Sequence, residues 1–243
     1  MRYFIELSYK GKNYCGWQRQ NDEPTVQGAI EKGLSTLLRA QIQITGAGRT
    51  DTGVHASFYV AHFDVESEIG DCDFLRYKLN IILPEDIAIA KIYSVASDSH
   101  ARFDAKQREY TYYICRHKNP FSRESSWQYY VDLDMEAMNR AAEKLLIHSD
   151  FTSFAKLNSN NKTNICKISH AKWHTPNQNE MIFTIRADRF LRNMVRAIVG
   201  TLVDVGRGKY SPEEFEAIIT AQDLSKCSAG APAQGLFLSD IKY

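Results

Sequence analysis

The segment Gly46-Ala47-Gly48-Arg49-Thr50-Asp51-Thr52-Gly53-Val54-His55-Ala56 holds the residues of this chain best suited to chemistry. Three glycines in eight positions permit backbone angles that other residues resist, and let a partner approach the main chain closely. Arg49 and Asp51 lie two apart in this turn, directly before an apolar run that reads as a buried strand. Charged groups beside a core element need partners. The segment is therefore either a functional loop or a structural turn in which Arg49 and Asp51 neutralise each other. A phosphate-binding P-loop is a poor description, because the Gly-Lys-Ser/Thr ending is absent. As a functional loop it offers a carboxylate for covalent or charge-stabilising work, and a guanidinium that holds phosphate or stacks.

Other reactive side chains are more dispersed. Between Arg186 and Lys209 stand six basic residues (Arg186, Arg189, Arg192, Arg196, Arg207, Lys209) and two acidic ones, Asp188 and Asp204. This surplus either attracts phosphate or is the solvated face of a helix. Arg192 and Arg196 lie four apart there and share one flank of an expected helix. Taken alone, Arg196 is a surface arginine whose stem covers a helix edge, and Tyr110, one of 13 tyrosines, is a core ring. His170 and His174 fall in a segment that alternates like a strand and read as sheet-face residues, not a metal pair. The five cysteines (Cys15, Cys72, Cys115, Cys166, Cys227) are odd in number, scattered and never in a CxxC pair. That pattern fits reduced thiols in a cytosolic protein, without a disulfide frame or zinc knuckle.

The elements that must position these groups follow from periodicity. Residues 3–9 alternate as a strand, and Lys10-Gly11-Lys12-Asn13 is a turn. Thr25 caps a helix carrying Val26, Ile30, Leu34, Leu37 and Leu38 on one stripe. A short strand at 41–45 precedes the glycine-rich loop, and a longer one near 57–65 is apolar on both faces, as a covered central strand would be. Asp73 is the expected cap of a helix through Leu79, ended by Pro84, and a strand follows at 87–92. The polar stretch 97–108 is the best internal boundary, dividing the chain into halves 1–98 and 99–243. In the second half, strands are expected at 110–115, 167–174 and 180–186, a helix after Asp134, and a polar, mobile loop at 156–164. Leu191, Met194, Val195, Ile198, Val199, Leu202 and Val203 mark an amphipathic helix. Ser211-Pro212-Glu213-Glu214 combines an N-cap, a first-turn proline and a capping box. Leu236, Leu238 and Ile241 suggest a final strand. Strands and helices mix in each half without regular βα alternation, so the fold class is α+β, with antiparallel sheets backed by helices.

At 243 residues, 44% hydrophobic and 24% charged, the chain suits one large domain or two small ones with a substantial core. The alternating N-terminus is unlike a secretory leader, and no stretch approaches the ~20 apolar residues of a membrane helix. A net charge of +1 does not by itself indicate a nucleic-acid partner.

The GRTDTGVHA segment resembles the signature of the tRNA pseudouridine synthase A family, and the resemblance runs along nearly the whole chain. Gly16-Trp17-Gln18-Arg19-Gln20 with Thr25-Val26-Gln27 is similar to the family's GWQxQ…TVQ. Asn80 with Leu83-Pro84-Glu85-Asp86-Ile87 resembles N…LPxDI, and His100-Ala101-Arg102-Phe103 resembles the FHAR segment. Arg108-Glu109-Tyr110-Thr111-Tyr112 matches RxYxY, and Asp150-Phe151-Thr152-Ser153-Phe154 resembles DFxSF. Phe190 to Gly200 is similar to FLxxMVRxIVG, and Ala231-Pro232-Ala233-Gln234-Gly235-Leu236 matches APAxGL. Lys10 replaces the aspartate usual at the first turn, and Ser99 replaces the phenylalanine of FHAR.

The resemblance implies a pseudouridine synthase fold, two strand–helix halves forming a central cleft. It implies isomerisation of uridine to pseudouridine at positions 38, 39 and 40 of the tRNA anticodon stem-loop, by a cytoplasmic homodimer without metal or organic cofactor. Asp51 becomes the nucleophile, and Arg196 its guanidinium partner. Tyr110 stacks on uracil, Leu236 forms an apolar wall beside the base, and Arg49 helps to hold the target nucleotide out of its stack. Phosphate contacts would come from the 186–209 segment, Arg192 included, and from Lys10 and Lys12. Two other classes compete. A non-catalytic RNA-binding module explains the basic residues and tyrosines but not a carboxylate in the loop. A glycoside or nucleoside hydrolase would ordinarily need two carboxylates at a set separation, and only Asp51 stands in a distinctive motif.

Overall fold

The computed structural model describes residues 1–20, 22–156 and 162–243. Most of the loop expected at 156–164 therefore lies outside the described residues. The chain divides into two compact units, Met1–Lys106 with Leu238–Tyr243, and Gln107–Phe237. The expected division at 98/99 thus shifts. Residues 99–106 stay with the first unit, where Ala101 N donates to His62 Nδ1 and Lys106 N to the Lys242 carbonyl.

The first unit comprises β1 (Arg2–Tyr9), α1 (Val26–Leu38), β2 (Ile44–Gly46), β3 (His55–Asp64), α2 (Cys72–Ile82) and β4 (Ile87–Val95). β1 pairs antiparallel with both β4 and β3, with Ile5 opposite Ile92 on one side and Ala61 on the other. β2 pairs with β3, Ile44 opposite Phe63. Tyr59 through Phe63 are all buried, as expected of a strand covered on both faces. α1 turns Val26, Ile30 and Leu34 inward, and α2 packs Leu75 and Leu79 between α1 and β4. Thr25 caps α1 by accepting from Gly28 N. At α2 the expectation fails: Asp71, in extended conformation, is the cap and accepts from Phe74 N at 2.8 Å. Asp73 is already helical and pairs with Arg76. A cap must lie outside the helix with its side chain folded back, and of the two aspartates only Asp71 does so.

The second unit comprises β5 (Gln107–Cys115), β6 (Trp127–Gln128), α3 (Met135–Lys144), β7 (Ile168–Asn177), β8 (Glu180–Ala187), α4 (Met194–Gly206) and α5 (Pro212–Thr220). β8 lies between β5 and β7, antiparallel to both, with Ile185 opposite Tyr110 and Phe183 opposite Trp173. The two-residue β6 runs parallel to β5, a small departure from the all-antiparallel expectation. α3, capped by Asp134, packs on α4, α5 and β7. The capping box of Ser211 and Glu214 forms as read. The last strand, β9 (Leu236–Lys242), begins in the second unit and ends in the first.

α4 corrects two expectations. It is buried around its whole circumference, with Arg196 the single residue of the helix that is not. The expected apolar stripe is present, and the polar side opposite it is covered too, with buried Asp204 held by Ser228 and Lys209. The helix also begins later, after Asn193 in the left-handed conformation (φ 64°). Arg192 precedes it, and the i,i+4 relation to Arg196 does not exist.

Candidate active site

The loop between β2 and β3 is held by aromatic side chains from three segments. Tyr9 at the end of β1, Trp17 before α1 and Tyr59 on β3 form a buried cluster. Trp17 stacks on Tyr59 with ring centroids 4.0 Å apart, and Tyr9 lies 6.0 and 5.8 Å from the two. The polar ends of this cluster grip the loop. The Tyr59 hydroxyl donates to the Gly48 carbonyl. Tyr9 and Thr50 share a buried hydroxyl–hydroxyl hydrogen bond of 2.8 Å. Trp17 N donates to the Thr50 carbonyl at 3.3 Å. Residues 48 and 50 are thus pinned on either side of Arg49, whose side chain is exposed, while Asp51 is half-buried.

The remaining contacts explain why the flanking motifs read as they do. Gly16 has φ +89°, and a Cβ there would lie on the Thr50 carbonyl oxygen, so this position excludes any side chain. Gly53, at φ +78°, closes the turn in which Val54 N donates to the Asp51 carbonyl at 3.1 Å. Gln27 on α1 donates to the Ile44 carbonyl and accepts from Arg19 N, tying helix, β2 and the 17–20 segment together. Buried His55 accepts from Gly11 N at 3.0 Å, and Gly53 N donates to the Tyr14 carbonyl. The turn bearing exposed Lys10 and Lys12 therefore lies against the same loop. Asp86 anchors that turn, accepting from Lys10 N, Asn13 Nδ2 and the Tyr14 hydroxyl. Burial, and then the Asp86 carboxylate, push the Tyr14 hydroxyl above its ordinary pKa.

In the second unit, Tyr110 on β5 is half-buried and meets Phe190 edge-on, 5.1 Å between centroids at 90°. Tyr112, two residues on and facing the same way, is buried; its hydroxyl donates to the Pro232 carbonyl at 2.8 Å. Burial pushes Tyr112 well above its ordinary pKa, against the opposing charge of nearby Arg196. Arg196 Nε donates to the Ala231 carbonyl at 2.7 Å, and Ala231 N returns a bond of 2.9 Å to the Arg196 carbonyl. The chain from Ser228 to Ala231 runs along α4 in this manner. Ser228 N donates to Thr201 Oγ1 at 3.2 Å, and Ser228 Oγ to Asp204 at 2.6 Å. Gly200 leaves room for the Ala229 carbonyl that any Cβ would displace. Leu236 is buried just beyond, at the start of β9.

The predicted residues thus fall into two sets. Arg49, Asp51, Lys10 and Lys12 cluster in the first unit; Tyr110, Arg196 and Leu236 belong to the second. Arg192 is exposed there. Half of the basic segment already has carboxylate partners. Arg186 pairs with Glu109, and Arg207 and Lys209 pair with Asp204 at 3.3 and 2.7 Å. Their charge is partly spent inside the protein, which weakens those three as phosphate candidates. Tyr9, Tyr59 and Tyr112 are roles that sequence reasoning missed. The signal was faint: each is an aromatic residue on a strand, one among many.

A family model described as tRNA pseudouridine synthase matches residues 7–104 and 141–243. The tRNA pseudouridine synthase A of Bacteroides fragilis is 51% identical over 242 residues, covering 100% of this chain and 96% of the relative. That of Porphyromonas gingivalis is 47% identical over 244 residues, covering 100% and 97%. That of Bacillus licheniformis is 38% identical over 247 residues, covering 100% and 99%.

Proposed function

The chain belongs to the tRNA pseudouridine synthase family, an isomerase family acting on tRNA, and from that premise we propose that it converts uridines 38, 39 and 40 of the anticodon stem-loop, as a cytoplasmic homodimer. Among the described residues no helix is long and apolar enough to cross a membrane.

The reaction breaks the bond between C1′ and N1 and makes one between C1′ and C5. The C5 proton leaves, N1 takes one up, and no atom is gained or lost. Asp51 acts as the nucleophile, or as the carboxylate that stabilises charge at C1′. By the same family reading, Tyr110 stacks on the loose uracil, Leu236 walls it off from water, and Arg196 is the guanidinium assigned to the carboxylate. Arg49 keeps the target nucleotide unstacked, a step that costs a few kcal/mol in a paired stem. Lys10, Lys12 and Arg192 contact phosphates.

The observation that carries this reading is the construction of the Asp51 loop. Its backbone is pinned at Gly48 and Thr50 by buried hydroxyls and a main-chain bond, while Arg49 is presented to solvent. Rigid support of a charged pair is what a reacting group requires, and a simple binding loop would have no use for a carboxylate facing phosphates. Tritium release from tRNA labelled at uracil C5 tests the reading. Wild type should release tritium in the presence of a metal chelator, and from tRNAs with a single uridine at 38, 39 or 40. Asp51→Ala should bind tRNA and lose about 10³-fold or more in rate. Binding without release by the wild type would make the RNA-binding-module reading the better one. A flat response of binding to salt would remove the phosphate contacts.

A further inference from the structure

The HARF segment takes no part in the chemistry above, yet it is unusually well built. Ala101 is fully buried; its N donates to His62 Nδ1 at 3.1 Å and its carbonyl accepts from the Tyr243 hydroxyl at 2.7 Å. Around this anchor the chain turns tightly. His100 N donates to Asp104 Oδ2 at 2.6 Å, and Asp104 N to the His100 carbonyl at 3.0 Å. His100 Nδ1 accepts from both Arg102 N and Phe103 N, at 3.1 and 3.3 Å. All this order presents one apolar ring to water. Phe103 is 75% exposed.

Rings connect that surface to the core. Phe4 lies against His62 (6.3 Å), His62 meets His100 edge-on (4.6 Å), and His100 lies against Phe103 (4.2 Å, 37° between planes). The Arg102 guanidinium sits 5.8 Å from the Phe103 centroid. A lone ring set among His100, Arg102 and Asp104 is no contiguous apolar patch of the kind that docks proteins. A rigid aromatic face with a guanidinium beside it suits a nucleotide, whose base stacks on the ring and whose phosphate meets the cation.

We propose that Phe103 is a stacking site for an unpaired base of the substrate tRNA, with Arg102 beside it for the adjoining phosphate. The proposal rests on the family's action on tRNA. Every base has a π-face, so the contact tolerates different sequences and serves an enzyme that meets many tRNAs.

Equilibrium tRNA binding by Phe103→Leu, Phe103→Tyr and Phe103→Trp tests it. Phe103→Leu keeps the apolar contact but removes the ring, and should weaken binding by about tenfold with the salt slope unchanged. Phe103→Tyr should bind like the wild type. The extra tryptophan of Phe103→Trp, read as a difference from the wild type, should be quenched when tRNA saturates the protein. Wild-type affinity in Phe103→Leu, or no quenching in Phe103→Trp, overturns the proposal. So does a loss of affinity accompanied by dimer dissociation in sedimentation, which would make the ring a subunit contact. If the wild type itself neither binds nor modifies tRNA, the failure lies in the functional reading and not in this site.

Discussion

The loop carrying Asp51 and the helix carrying Arg196 are anchored by different kinds of atom. The loop hangs on the side-chain hydroxyls of Tyr9 and Tyr59, supplied by strands far apart in sequence. Arg196 is held through the Ala231 carbonyl, and the 228–231 ribbon is bonded to α4 at several consecutive points. A hydroxyl can be deleted by substitution, whereas a carbonyl cannot. The side-chain bonds of the loop are therefore open to single changes, whereas the reciprocal bonds between Arg196 and Ala231 use carbonyl acceptors at both ends and outlast the loss of the Ser228 hydroxyl.

The most damaging test of this contrast compares two glycines. Gly16→Ala imposes a side chain at φ +89° and on the Thr50 carbonyl. It should cost about 2–5 kcal/mol and lower single-turnover tritium release by ~10²-fold. Gly200→Ala meets the Ala229 carbonyl and Ala231 N, but in regular helix and outside the unit that carries the Asp51 loop; it should cost about 1–3 kcal/mol and disturb the rate less. Equal loss of activity in thermal melts and turnover assays would erase the distinction. Next come the hydroxyls. Tyr9→Phe and Tyr59→Phe should each lose about 1–2 kcal/mol and lower kcat by about tenfold with tRNA affinity unchanged. Ser228→Ala should change kcat by no more than ~2-fold, because the main-chain bonds of the ribbon remain.

Acid should separate the units as well. Burial holds His62 down at about 4, below its ordinary 6.5. The unfolded chain therefore binds the extra proton first, and stability falls as pH drops through the window from 6.5 to 4. Asp204 is opposite in kind. Burial alone would raise it, but hydrogen bonds from Lys209 and Ser228 and the charge of Arg207 hold it below 3.8. Its contribution stays complete above 3.8 and is lost only below. Between pH 7 and pH 5, hydrogen exchange should show the first unit weakening by ~1–2 kcal/mol. His62→Asn, which keeps an acceptor for Ala101 N, should flatten that response; an unchanged slope would discard the assignment to His62. The smallest effect concerns α2: Asp71→Ala should cost ~1 kcal/mol, and Asp73→Ala no more than ~0.5 kcal/mol.

That last pair shows where sequence reading ends. Thr25, Ser211, the start of α3 after Asp134 and the stripe of α1 were legible because capping and periodicity act within a few residues. Asp71 and Asp73 sit two apart, and only the entry direction of the chain separates them. The Asp51 loop was conspicuous from its composition, whereas the tyrosines that hold it were not. Their partners lie 41 residues away for Tyr9 and 11 for Tyr59, and nothing local marks them. Arg192 illustrates the reverse error: its spacing from Arg196 looked helical, yet a left-handed Asn193 intervenes.

The return of β9 to the first unit has a consequence for biosynthesis. Leu238 and Ile241 are core residues of that unit, and Tyr243 bonds Ala101 within it. A growing chain usually completes its N-terminal part first. Here the first 106 residues leave the ribosome without their closing strand and must wait until residues 238–243 are made, after the contiguous 107–237 segment. The loop bearing the proposed nucleophile thus matures after the segment of the second unit has been made, and truncation before Leu238 would strip core residues from the unit begun first.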